Sequence, residues 1–273
     1  MGNQNSNGEQ KGKKIIESKL NVAAKTGVLN IADQSLHIKS SVWQKLTSLE
    51  LCNKLKSLDI SKNDIKKIPI EIVSLCKLKT LMIYSCKLTS LPDLSPLNQL
   101  CDLQASNNLL ENGGLDLLPV SIIKCDLSHN RFNTFPIELV VLSNLKELTL
   151  SHNRITSLEG IGHLVSLTHL YLDHNQLREV PVEVRHLKVL KLISLKYNVI
   201  EKDAVSSAGQ SIPAELFLET IVDHINLEGN TGLTKADVLK FEGIDAFLER
   251  RQKGKDKTLY GGALTDFSLF GID

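Results

Sequence analysis

The chain has 273 residues, 42% hydrophobic and 23% charged, which is enough apolar material to fill a sizeable core. Thirty-two Lys and Arg face 31 Asp and Glu, so the net charge of +1 gives the whole chain no electrostatic footprint for nucleic acid. Five cysteines (Cys52, Cys76, Cys86, Cys101 and Cys125) are scattered without a CxxC pair, and no N-x-S/T sequon occurs, which fits a reducing, intracellular compartment rather than a disulfide framework.

Residues 1–25 read as a flexible polar and basic leader, carrying five Lys against two Glu. Its opening, "MGNQNS", fits the N-myristoylation pattern, with Gly2 as the acylated residue and Ser6 as the favoured hydroxyl. One myristoyl chain binds a bilayer only marginally, at about 10⁴ M⁻¹. Lys11, Lys13, Lys14 and Lys19 would supply a second signal of roughly 1 kcal/mol each near an anionic leaflet. The leader therefore predicts reversible, peripheral contact with the cytoplasmic face of a membrane. No run approaches 18 apolar residues, so no segment reads as a membrane span.

From residue 26 the chain repeats itself. "LKSLDISKNDI" (55–65), "LCDLQASNNLL" (100–110), "LKELTLSHNRI" (145–155) and "LTHLYLDHNQL" (167–177) share the pattern L-x-x-L-x-L-x-x-N-x-L. The Asn slot falls at 34, 63, 86, 108, 130, 153, 175, 198 and 230, with Gln34 and Cys86 as variants. The steps are 29, 23, 22, 22, 23, 22, 23 and 32, and a period this regular marks a repeat architecture of about nine coils. Each L-x-L is a short strand whose aliphatics point inward, while apolar positions three apart, as in Pro136, Leu139 and Leu142, line the return path. A single coil cannot bury its own apolar face, but stacked coils form one core. The slot Asn can satisfy buried turn groups that would otherwise cost about 1–3 kcal/mol each, and Cys86, a weaker partner, makes its turn less secure.

Beyond the last coil, "KADVLKFEGIDAFLERRQK" has helical apolar spacing and predicts a capping helix over 234–253. Residues 254–273, Gly-rich with Phe267 and Phe270 near the end, read as a flexible tail or a docking peptide.

Over roughly 26–233 the chain resembles the leucine-rich-repeat family, and its entry segment "KTGVLNIADQSL" and closing "FEGIDAFLERRQK" resemble those of small intracellular members. The resemblance implies an α/β solenoid, with a curved parallel sheet on the concave side, short helices, 3-10 turns and loops on the other, and a helical C-terminal cap. It also implies a non-catalytic scaffold that needs no cofactor. "LEGIGHL" (158–164) resembles repeats of phosphatase regulatory subunits, so a phosphatase or small-GTPase pathway is an alternative setting.

Strand alternation then names the outward positions that could meet a protein partner: Asp59, Met82, Tyr84, Gln104, Asp126, Glu147, His169, Tyr171, Asp173, Lys196 and Tyr197. Three of the four tyrosines fall among them, and Tyr gives large contact area for little rotamer entropy. His129, His152 and His174 each precede a slot Asn and form a column. A metal or acid–base site there is the competing reading. Zinc, however, needs each nitrogen at about 2.0–2.1 Å, which imidazoles stacked at the strand spacing of roughly 4.8 Å do not supply. The column reads as a solvated repeat position. The basic patches at the two ends stand about 40 Å apart by strand spacing and do not make one nucleic-acid groove.

Overall fold

In a computed structural model the chain is described over residues 4–34, 42–46, 48–202, 210–258 and 270–271. The side chains of 4–13, 49 and 254–258 are not among those described, and Gly2, Lys11 and Lys13 thus lie outside the side chains discussed below. Two compact units divide the chain, residues 1–126 and 127–273.

The first unit opens with α1 (Gln4–Thr26), where the sequence had predicted a flexible leader. Ile16, Leu20 and Ala23, spaced four and three apart, form one buried stripe. That stripe packs on β1 (Val28–Asn30) and on two short helices, α2 (Val42–Leu46) and α3 (Leu49–Cys52). The helix ends at Gly27, whose φ of 74° suits a left-handed cap and whose N–H donates to the Ala23 carbonyl at 2.8 Å. Polar composition suggested disorder; a three-residue apolar stripe with a core edge to cover makes a cap instead.

Strands β1, β2 (Ser57–Asp59), β3 (Thr80–Met82), β4 (Asp102–Gln104) and β5 (Lys124–Asp126) follow in chain order, each parallel to the last. Their central residues Leu29, Leu58, Leu81, Leu103 and Cys125 are buried, as are Ile60, Ile83 and Ala105 two residues on. This is the period-two alternation of the sequence, and each fully buried Leu or Ile contributes about 1.5–3 kcal/mol. A 3-10 turn, Ile70–Ser74, opens at Pro69, whose fixed φ presets it, and buries Ile72 on the return path.

The second unit continues the pattern with β6 (Glu147–Thr149), β7 (His169–Tyr171), β8 (Leu192–Ser194) and β9 (His224–Asn226), again parallel and in order. Three 3-10 turns, Ile137–Val141, Ile161–His163 and Val182–His186, bury Leu139, Ile161 and Val184. The long final step holds α4 (Ala214–Leu218), entered through Pro213. The predicted single cap over 234–253 is two helices, α5 (Lys235–Val238), closed by a Thr234–Asp237 capping box, and α6 (Ile244–Thr258). Gly243, at φ 84°, breaks them apart. The tail is not wholly without structure: Phe270 is buried. Among the described residues, no helix is long and apolar enough to cross a membrane.

Candidate partner-binding face

The repeat's register is fixed by the slot asparagines, and the surface follows from it. Asn175 is buried; its Nδ2 donates to the carbonyls of Leu150 and Leu172 at 3.0 and 2.9 Å, while its Oδ1 accepts from the Ile155 N–H at 3.0 Å. Asn198 and Asn230 repeat the arrangement one and two coils later. One amide thus ties its own turn to the preceding coil, and outward strand residues are held in rows.

In the first unit, Met82, Tyr84, Gln104 and Asp126 are half-buried and alternate with buried neighbours, as alternation predicts. Asp59 is different. It is only 8% exposed, its carboxylate accepts from the Ser61 N–H and hydroxyl, and the Asn30 amide donates to it at 2.9 Å. Asp59 is a structural clip within the coil, not a free contact, because its short side chain reaches the backbone two residues on.

In the second unit, Glu147, His169, Tyr171, Asp173 and Lys196 are half-buried and Tyr197 is 46% exposed. Asp173 accepts from the Ser194 hydroxyl and from the Lys196 N–H at 2.9 Å, so it too is partly committed inward. Lys196 pairs with Glu228 at 2.8 Å, and the Tyr197 hydroxyl donates to the same carboxylate at 3.1 Å. These bonds hold the Glu228 carboxyl below the usual range and raise the Lys196 and Tyr197 groups above theirs.

Tyr197 does not stand in the strand rows. It occupies the position before a slot Asn, where the backbone is left-handed, with φ between 50° and 57° at Asp33, Lys62, Ser85, Asn107, His129, His152, His174 and Tyr197. His recurs there, beside one Asn and one Asp, because these residues tolerate that conformation better than most. The side chains stack: His129 on His152 with ring centroids 4.0 Å apart, His152 on His174 at 4.2 Å and His174 on Tyr197 at 4.4 Å, all within 15° of parallel. In-plane nitrogen lone pairs on parallel rings do not converge on one ion, which argues against the metal reading of this column.

One feature of the face was not foreseen. Tyr171, Leu192, Ser194, His224, Asn226 and Arg251 line a recess of about 220 Å³. Arg251 comes from α6, and nothing in the spacing of the capping segment assigns it to the strand side. At the inner wall, Ser194 is only 6% exposed.

A leucine rich repeat family model matches residues 124–177. Among curated proteins, the chain is 35% identical over 95 residues to Ras guanine nucleotide exchange factor V of Dictyostelium discoideum, and 37% identical over 134 residues to adenylate cyclase of Schizosaccharomyces pombe. These matches take in 34% and 44% of this chain but only 4% and 7% of those proteins, so they concern a segment of each. Among solved structures, a leucine-rich-repeat protein of Leptospira interrogans superposes with a TM-score of 0.64 over 85% of this chain and 61% of its own, at 22% identity. An internalin of Listeria monocytogenes does so with a TM-score of 0.51 over 73% and 52%, at 19% identity. At such identity the likeness is one of fold. The coil that the spacing of the slot asparagines predicts is the coil these neighbours carry: residues 124–177 match the leucine rich repeat model, and the chain has the fold of a leucine-rich-repeat solenoid.

Proposed function

We propose that the chain is a non-catalytic scaffold that docks a protein partner on the strand face of its repeats, with Tyr171 as an anchor. The observation that carries this reading is the recess beside Tyr171, which joins an aromatic ring, the apolar Leu192 and the Arg251 guanidinium on a face pinned by buried asparagines. Such a mixture of aromatic and arginine around a pocket is where binding energy concentrates. Rigid presentation also lowers the ordering cost of association. Matched relatives named as a Ras exchange factor and an adenylate cyclase support a signalling partner in a small-GTPase pathway; a phosphatase pathway, the alternative setting, rests on the resemblance of residues 158–164. Affinity capture from the native cell, with intact chain and with Tyr171→Ala, tests it. Loss of the captured partner at an unchanged melting temperature is expected; undiminished capture removes this face from the account.

Membrane recruitment is a second strand of the proposal and rests on sequence, through the Gly2 motif and Lys11, Lys13, Lys14 and Lys19. Lys14, on α1, is exposed and Lys19 half-buried. Mass spectrometry of the native N-terminus decides: a myristoylated Gly2 supports the reading, and an unblocked or acetylated start ends it.

A further inference from the structure

The last strand of a parallel stack leaves a row of backbone groups without a further coil, and an open edge is a template for any extended chain that meets it. In the second unit each strand is followed by the same rung: Leu150 N–H to the Tyr171 carbonyl, Leu172 to Ser194 and Leu195 to Asn226, all at 2.8 Å. After β9 the series does not stop. Leu227 N–H donates to the carbonyl of Phe270, again at 2.8 Å, so Phe270 holds the place that Asn226 holds one coil earlier. Its ring is 1% exposed, 5.6 Å from Phe247 of α6, which in turn meets Phe217 of α4 edge-on at 6.1 Å. Gly271 follows at φ 64°, and a Cβ there would stand 2.7 Å from the Glu228 Cβ and 2.9 Å from the Asn226 Oδ1. Only glycine fits against the edge at that point.

We propose that the edge of β9, with the aromatic socket formed by Phe247 and Phe217, is a peptide-docking site whose resident occupant is the chain's own Phe270–Gly271. The recognition has two parts. A backbone carbonyl completes the ladder, which is strand addition in its smallest form, and one phenylalanine fills an apolar socket. The glycine after it is required by the close approach to Glu228 and Asn226. This site adjoins the Tyr171 recess, with Asn226 common to both, but its occupant is the chain's own Phe270–Gly271 and its tests do not depend on a partner at Tyr171. Tethering gives the occupant an effective concentration on the order of millimolar, so a free peptide of the same sequence competes poorly until the tether's anchor is removed.

The test uses full-length chain and a fluorescent peptide of residues 264–273. The intact chain should hold the peptide at least tenfold more weakly than full-length Phe270→Ala, and the peptide carrying F270A should lose at least tenfold against that variant. Equal peptide binding by intact chain and Phe270→Ala, or none by either, overturns the proposal. A second measurement needs no variant: amide hydrogen exchange on the intact chain should protect the Leu227 N–H as it protects Leu195 and Leu172. Exchange at the rate of an open edge amide would show the socket to be unoccupied and sink the idea.

Discussion

His129 and His152 lie ring on ring, centroids 4.0 Å apart and planes 9° from parallel, because the same left-handed backbone position recurs in successive coils. His152 is an inner ring of the stack, held between His129 and His174. Burial between its neighbours lowers its pKa, the charges of His129 and His174 lower it further, and Asp173 opposes them. The folded state therefore takes up this proton at lower pH than the unfolded state does. Stability from the stack is present above the ordinary histidine range and is lost as pH falls through the depressed pKa, below which the loss is complete. Thermal unfolding at pH 7.5 and pH 5 should show a fall in Tm on acidification. His152→Asn, which keeps a residue suited to left-handed backbone, should show a smaller fall. An identical fall in both would place the pH sensitivity elsewhere.

Asn175 makes four hydrogen bonds from one buried amide: its Nδ2 donates to the carbonyls of Leu150, Leu172 and, at 3.4 Å, Asp173, and its Oδ1 accepts from the Ile155 N–H. Asn175→Ala takes this partner from the Leu150 and Leu172 carbonyls and the Ile155 N–H in a dry turn, while the Asp173 carbonyl keeps the His152 N–H. At roughly 1–3 kcal/mol for each buried group left without a partner, and with partial relaxation, the cost should be about 2–4 kcal/mol. Urea unfolding reads this as a lower midpoint. A loss below about 1 kcal/mol would mean that water reaches the turn and takes the place of the amide.

Much of this fold was legible because its signal is periodic. Slot asparagines every 22 or 23 residues fixed the coil, and the alternation then put Met82, Gln104 and Tyr171 outward beside buried Leu81, Leu103 and Leu170. Asp59 and Ser194 show where that reasoning stops. Alternation gives the side of the sheet, but a short polar side chain can fold back on nearby donors and acceptors, and both residues are buried by doing so. Tyr197 lies three residues past the end of β8, and strand alternation, which counts it among the outward positions, carries no information about its positive φ. The α1 stripe of Ile16, Leu20 and Ala23 was visible in the spacing but outweighed by the polar residues around it. Phe270 could not be placed at all, since its partners Leu227 and Phe247 are distant in sequence and belong to no repeat of its own.

Cys86 occupies a slot and imitates half of the asparagine. Its Sγ donates to the Ile60 carbonyl at 3.3 Å, the role of Nδ2, and burial pushes its thiol pKa up, with Asp59 adding to the shift. A thiol has no carbonyl oxygen to offer the Ile65 N–H, the counterpart of the Leu88, Phe132, Ile155, Leu177 and Ile200 N–H groups that a slot Oδ1 serves. Cys86→Asn should restore that bond and stabilise the first unit by about 1 kcal/mol. Chemical denaturation measures the gain. A loss instead would mean that the turn has closed around the smaller sulfur side chain and no longer accommodates an amide.

Gly229 stands at φ 77°, and a Cβ there would lie 2.4 Å from Tyr197 Cδ1 and 2.7 Å from Cε1. Gly229→Ala thus carries two costs, a left-handed alanine and a displaced ring. The backbone cost is about 1 kcal/mol. The ring can yield only by leaving His174, 4.4 Å away, and its hydrogen bond to Glu228. Together they should remove about 1–3 kcal/mol from the intact chain. The two costs separate in a double-mutant cycle. In a Tyr197→Ala background the ring is gone, so Gly229→Ala should cost only the backbone part. If the cost is the same with and without the ring, the glycine is present for its φ alone and the close approach of Tyr197 has no energetic consequence. If the cost shrinks, the stack that ends in Tyr197 is set by the residue beneath it, and a glycine one coil away is part of how this surface is kept flat.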